Sequence, residues 1–298
     1  MMTADVTLVY VVEALAVMFV AGLAGLVAMV HGNLRALVAH VWFKRWCTWI
    51  AIAAVILGAL WLGRPAAIVM IAAVAWQSAR EAATLLGLPS AYRRTLVAAA
   101  PATVVLGGVA PDLLPWLPAA FTLLAVLLPL ARDRVDSPSA AGRAVLGYVW
   151  TGWLPAFIVR LGAAPGGIAW LMTLGLAVAL ADVFACLVGG KLGGPKLAPA
   201  ISPGKTWSGL AGAVGGAYVA FAAFAFLHPA VSPLVYWGLP PVVAVAGTVG
   251  DLLESWVKRA AGVKDAGTWL PGFGGLLDRI DSTLVALPVA CLLLRLVG

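Results

Sequence analysis

Residues 168–189 read IAWLMTLGLAVALADVFACLVG, a run with one carboxylate and no lysine or arginine. About 20 predominantly apolar residues suffice for a helix to cross the hydrocarbon core of a bilayer. A helix that is hydrophobic all round belongs in a membrane or a large core. Working outward, the same texture recurs at 7–30, 47–62, 66–88, 95–110, 114–131, 144–162, 206–228, 237–257 and 278–297. The chain is therefore predicted to be all-α: a polytopic integral membrane helical bundle of nine to ten transmembrane helices. Positions 1–298 are expected to form a single membrane domain, with no room for a soluble one. The alternating pattern of an outer-membrane barrel is absent.

Composition agrees. Apolar residues make up 63% of the 298 positions and charged residues 10%, against about 45–50% and about 25% in soluble domains. Mean hydropathy is +1.04 and the pI about 9.7. These values exclude an ordinary soluble enzyme, a disordered chain and a nucleic-acid module. The net charge of +7 is assigned to one membrane face instead of a nucleic-acid partner. With the N-terminus outside, segments 31–46, 88–94, 132–143, 190–205 and 258–279 fall inside and hold 15 of the 19 lysines and arginines. The positive-inside rule then gives ten crossings with both termini outside, and puts the polar loops of the second half on the cytoplasmic side. The start, Met1-Met2-Thr3-Ala4-Asp5, lacks a basic region, so no cleavable signal is expected. Cys47, Cys186 and Cys291 are too few and too scattered for a disulfide framework and read as small buried hydrophobes. His31, His40 and His228 show no metal-ligand spacing.

The first part, 1–143, is a stack of apolar helices. Glu13 and the pair Arg80-Glu81 lie inside its spans, where an ionisable group is either functional or a bundle-facing polar contact. The second part, 144–298, carries the chemistry. Gly204-Lys205-Thr206 resembles the end of a P-loop, but Pro199 stands where the first glycine belongs, and no preceding strand is expected, so a Walker A site is rejected. A loop with Lys191, Lys196 and Lys205, the hydroxyls of Ser202 and Thr206 and many backbone amides remains, which suits a polyphosphate. Asp251, Glu254 and Ser255 share one helix face, and Asp278 and Asp281 are spaced i, i+3 at the start of the last segment. Lys258, Arg259, Lys264, Asp265 and Arg279 lie between or beside them. Five of the chain's twelve acids fall within 251–281. Carboxylates beside basic groups suit a hard divalent cation with phosphates; the alternative is a salt-bridge cluster capping helix ends.

At these residues the sequence resembles the phosphatidate cytidylyltransferase (CDP-diacylglycerol synthase) family. Ser255-x-x-Lys258-Arg259, Lys264-Asp265, Pro271, Gly274-Gly275 and Asp278-Arg279-x-Asp281 match its C-terminal signature, and Gly250-Asp251-Leu252 precedes it in place. The block from Asp182 through Gly190-Lys191 to Ser202-Pro203-Gly204-Lys205-Thr206-Trp207 and Gly209 resembles an upstream block. The resemblance covers roughly 165–298. Phe273 departs from it, standing where the family has a histidine; a phenyl ring donates no proton, so Phe273 is expected to reshape the pocket for the lipid head group.

The resemblance implies transfer of CMP from CTP to phosphatidate or a related lipid phosphate, giving CDP-diacylglycerol and pyrophosphate. It implies Mg²⁺ held by Asp251, Asp278 and Asp281, a second cation bridging the phosphates, and catalytic work shared among Asp251, Lys258, Arg259, Lys264, Asp265, Asp278, Arg279 and Asp281. Lys191, Ser202, Pro203, Lys205, Thr206, Ser255, Gly274 and Gly275 would bind substrate. A homodimer in the inner (plasma) membrane of a bacterium is implied as well; arginine outnumbers lysine 13 to 6, in keeping with a GC-rich genome. A CTP-using polyprenol kinase is the alternative enzyme. A transporter is the alternative of another class, disfavoured because no internal repeat is found and the charges gather at one face.

Overall fold

The computed structural model describes residues 4–131, 138–267 and 274–297. The chain divides into two compact units, Met1–Ala67 and Ile68–Gly298.

In the first unit, α1 (Ala4–Met29) and α3 (Val41–Trp61) flank the short α2 (Leu34–Ala39). Asn33 caps α2 by accepting the Arg35 and Ala36 amides, and the His40 ring caps α3 by accepting the Trp42 amide. His40 thus has a local structural task. The Trp46 indole donates to the Phe19 carbonyl, 3.1 Å away, tying α3 to α1. Apolar side chains such as Val17, Val20, Val55 and Trp61 are exposed. Cys47 and Cys186 are also exposed, contrary to their reading as buried hydrophobes, while Cys291 is buried. Side chains on the lipid-facing side of a span need no burial in protein to avoid water.

The second unit holds α4 (Arg64–Leu85) from Ile68 onward, α5 (Ser90–Val109), α6 (Leu117–Ala131), α7 (Pro138–Tyr148), α8 (Leu154–Ala163), α9 (Gly167–Leu192), α10 (Trp207–Ala223), α11 (Pro233–Ala260) and α12 (Leu277–Val297). A π-helical turn at Val149–Trp153 joins α7 to α8 without a break. Two strands, β1 (Lys196–Ala198) and β2 (Ser202–Thr206), pair antiparallel between α9 and α10. The hairpin differs from the open loop anticipated there: Gly204-Lys205-Thr206 lies in a strand that runs directly into α10.

Five described helices are long and apolar enough to cross a membrane: Leu8–Met29, Trp42–Trp61, Pro138–Ala163, Gly167–Leu192 and Pro233–Ala260; Leu117–Leu130 and Trp207–Ala223 are apolar but shorter. The chain is a multi-pass helical membrane protein. Its buried positions are rich in alanine, among them Ala79, Ala82, Ala100, Ala144, Ala156, Ala177, Ala217 and Ala290. In lipid no hydrophobic force drives helices together, so small residues that permit close backbone approach take its place. Gly212 of α10 shows this: a Cβ there would lie 2.7 Å from the Phe184 carbonyl oxygen of α9. Larger groups fill the remaining gaps, as where Phe121 stacks on Tyr148 with centroids 4.0 Å apart.

Candidate active site

α11 starts at a Ser232 N-cap, with Pro233 in its first turn. It ends in Asp251, Glu254, Ser255 and Lys258, whose spacing keeps them on one face. α12 begins at Leu277, so Asp278 and Asp281 occupy its first turns. The two helices meet at Gly250, where any Cβ would overlap the Asp281 carbonyl and lie 3.1 Å from the Ser282 Cα. That contact sets the acids of one helix end against those of the other.

Lys258 sits at the centre. Its Nζ donates to Glu254 Oε2 at 2.7 Å and to Asp278 Oδ1 at 2.8 Å. Asp278 also accepts the Gly275 amide at 2.7 Å and the Ala266 amide at 3.0 Å. Glu254 is buried, and its Oε1 has no hydrogen-bond partner. Asp281 is buried and accepts the Ser282 amide.

The β-hairpin supplies the second cation. Lys205 Nζ lies 2.5 Å from Asp251 Oδ2, and Ser255 Oγ donates to Asp251 Oδ1 at 3.3 Å. Thr206 is the N-cap of α10: its buried hydroxyl accepts the Gly209 amide at 3.0 Å. Ser208, absent from the sequence-derived site, bonds the Thr206 hydroxyl and donates to the Gly193 carbonyl. Arg259 Nε reaches the Ile201 carbonyl at 3.5 Å, holding the hairpin's turn against the end of α11. Asp182 of α9 borders the cluster, with Ser282 beside it and Asp251, Asp281 and Lys205 as charged neighbours.

The structure therefore gathers Asp182, Asp251, Glu254, Asp278 and Asp281 around Lys205 and Lys258, a clear excess of carboxylates over ammonium groups. Among the described residues, no three histidine, cysteine or acidic side chains converge in a metal-binding arrangement. Arg259 and Arg279 are exposed at the helix ends, Lys264 and Asp265 on the loop after α11, Lys191 at the end of α9 and Pro203 on β2, while Ser202 is half-buried. Gly274, at φ +82°, and Gly275 crowd Asp278 and Glu81 instead of lining open space. Pro271, Phe273 and the loop at 132–137 with Arg132 and Arg134 lie outside the described residues. A cavity of ≈ 670 Å³ beside the loop after α11 is walled by Leu85, Leu146, Trp256 and Val257, with Arg143 and Asp265 as its charged members.

Sequence reasoning noted Glu254 among the clustered acids and Asp182 in the upstream block without giving either a site role, and it missed Ser282 and Ser208. For Glu254 the signal was its place between Asp251 and Lys258 on one helix face. For Asp182 it was a lone acid in an otherwise uncharged span. Ser282 and Ser208 gave none, since hydroxyls are common in membrane helices.

Comparison with known proteins bears on what this cluster does. Phosphatidate cytidylyltransferase from Brucella abortus biovar 1 (strain 9-941) is 44% identical over 128 residues, 42% of this chain and 46% of the relative. The protein of that name from Mycobacterium leprae (strain TN) is 38% identical over 147 residues, 48% and 47% of the two chains. That from Mycobacterium tuberculosis (strain CDC 1551 / Oshkosh) is 34% identical over 148 residues, 50% and 45%. The match spans about half the length of these curated relatives. The family match is broader: it runs from residue 43 to 297, through every residue of the acidic cluster, and by it the chain belongs to the cytidylyltransferase family.

Proposed function

We propose that this protein transfers CMP from CTP to phosphatidate, giving CDP-diacylglycerol and pyrophosphate. The observation that carries the reading is the pairing of two lysines with opposed acids, Lys205 with Asp251 and Lys258 with Glu254 and Asp278, in a chain whose relatives bear that activity in their names.

A phosphate oxygen of the lipid attacks the α-phosphorus of CTP. The new P–O bond forms as the bond to the β-phosphate oxygen breaks, and pyrophosphate carries away the electron pair. The attacking phosphate is ionised at neutral pH, so no strong base is required. Positioning and neutralisation of charge in the transition state do the catalytic work. Lys205 and Lys258, held at 21% and 14% side-chain exposure, present ammonium groups in a partly dry site. Arg259, Arg279 and Lys264 stand at its rim to meet phosphate oxygens, with Lys191, Ser202 and the hairpin amides beside them. The cavity walled by Trp256 and Val257 combines an apolar surface for the lipid with the Arg143 cation.

The donor set suits Mg²⁺ in kind, although among the described residues the acids are not drawn together around one point. Its atoms are carboxylate oxygens, their charge exceeds that of the two lysines, and Glu254 Oε1 is buried without a donor; such a surplus favours a hard divalent cation. Asp251, Asp278 and Asp281 would hold it, and a second cation would accompany the phosphates. Bound Mg²⁺ supplies Lewis-acid stabilisation of phosphoryl oxygens.

Ten helical crossings in a bacterial inner membrane, with the site on the cytoplasmic face, complete the reading. The concentration of basic residues in alternate loops supports it. The motif resemblance read from the sequence implies a homodimer, and the basic residues are taken up by membrane orientation and phosphates, leaving no nucleic-acid partner to invoke.

The test is incubation of purified protein in detergent with phosphatidate and CTP labelled in the cytosine ring, with and without Mg²⁺. Mg²⁺-dependent label in the lipid fraction is expected. Lipid phosphorylation with the ring label left in water would replace this reading with a kinase, and no reaction without a gradient would favour transport.

A further inference from the structure

We propose that Glu81 is a positioning residue for this site: a carboxylate of α4 that fixes the first turn of α12 and, through it, Asp278 and Asp281. Its consequence for turnover rests on the reaction proposed above; the clasp itself rests on geometry alone.

Glu81 is 6% exposed. Its Oε2 accepts the Leu277 amide at 2.8 Å, and its Oε1 accepts the Leu276 amide at 3.1 Å and the Gln77 Nε2 at 2.8 Å. A helix start leaves its first amides without acceptors. Usually a Ser, Thr, Asp or Asn next to the helix answers them. The side chain of Leu276 offers no acceptor, and an acid 195 residues earlier in the chain takes the role. A negative group at this helix end is also favoured by the helix dipole.

Two glycines keep room for the carboxylate. A Cβ at Gly275 would lie 2.6 Å from Glu81 Oε2, and one at Gly267 would lie 3.2 Å from Glu81 Cδ. Gly275 in turn donates its amide to Asp278. Glu81, Gly275 and Asp278 are thus consecutive parts of one assembly. On the other side, Arg80 donates to Gln77 Oε1 at 3.3 Å and lies over the Trp76 ring, so Gln77 is held in the orientation that serves Glu81. Both oxygens of Glu81 are engaged, which argues for a fixed clasp and against a proton-carrying acid. The location explains why an acid in the apolar N-terminal part of the chain belongs to the reaction in the C-terminal part. A displacement of reacting groups by about 1 Å can cost about 10²-fold in rate.

The experiment compares wild-type protein with Glu81→Gln, Glu81→Ala, Gly275→Ala and the Glu81→Ala/Gly275→Ala pair. Glu81→Gln keeps the volume but turns an NH₂ group toward backbone donors. It is expected to lower kcat about 10–100-fold, with KM for CTP and phosphatidate within about threefold. Amide exchange at Leu276 and Leu277 should accelerate while that of Leu284 to Leu294 is unchanged. A Gly275 Cβ would strike Glu81 Oε2 and, at 2.9 Å, the Gly267 amide nitrogen; because Glu81→Ala removes the first of these clashes, unfolding measured for the four proteins should be non-additive, the double variant losing less than the sum of the two single losses. Unchanged exchange at Leu276 and Leu277, an additive cycle, or wild-type kcat in a Glu81→Gln protein with accelerated exchange would overturn the proposal. If wild-type protein transfers no CMP, the proposed reaction fails, while exchange and the unfolding cycle still decide the clasp.

Discussion

Replacing Lys258 by methionine keeps most of the side chain's length and removes its charge. Lys258 is 14% exposed and lies 2.7 Å from Glu254, itself 1% exposed, and 2.8 Å from Asp278. Removing one partner of a buried ion pair costs about 3–5 kcal/mol, because the remaining charge is left in a poor solvent. Here one ammonium serves two carboxylates. Glu254 already has an unpartnered Oε1, so loss of its Oε2 donor strands the whole group. At about 1.36 kcal/mol per decade, this corresponds to a fall of two to nearly four decades in the population of the native arrangement. Equilibrium unfolding in mixed micelles reads the cost directly, and kcat reads its effect on turnover. A Lys258→Met/Glu254→Gln protein carries one stranded charge fewer and should recover about 1–3 kcal/mol of the loss. If Lys258→Met is within about 1 kcal/mol of wild type, or the second substitution only adds further destabilisation, the buried electrostatic pairing described here is wrong.

Lys205→Ala should raise KM for CTP several-fold more than Lys44→Ala, because Lys205 faces Asp251 in the site whereas Lys44 is an exposed residue of α3; equal effects would reduce the hairpin lysine to a determinant of membrane orientation. Gly250→Ala should cost about 1–3 kcal/mol by overpacking and lower kcat, since its Cβ overlaps the Asp281 carbonyl. Gly238→Ala, with open space around the new methyl group, is the control in the same helix. Equal stability and turnover of the two variants would refute the argument that Gly250 sets the approach of α11 to α12.

Much of the fold was legible in the sequence because membrane insertion is a property of single segments. Twenty apolar residues announce a span whatever they pack against. Four members of the acidic cluster, Asp251, Glu254, Asp278 and Asp281, were legible for a related reason: charge is rare in such a chain, so the acids within 251–281 stand out. Which of them meet was not. That Lys258 bridges Glu254 and Asp278, and that Lys205 reaches Asp251 from a hairpin, depend on how α11, α12 and β2 approach one another. Approach is fixed by the absence of a side chain at Gly250, whose place in the resembling Gly250-Asp251-Leu252 stretch marks the position without saying that two helices meet there. Thr206 reads as a phosphate-binding hydroxyl beside Lys205, yet in the fold it caps α10. Glu81 reads as either a functional acid or a bundle contact. Only the tertiary structure brings it to the amides of Leu276 and Leu277, because hydrogen bonding acts over about 3 Å in space and takes no account of the length of chain between its partners.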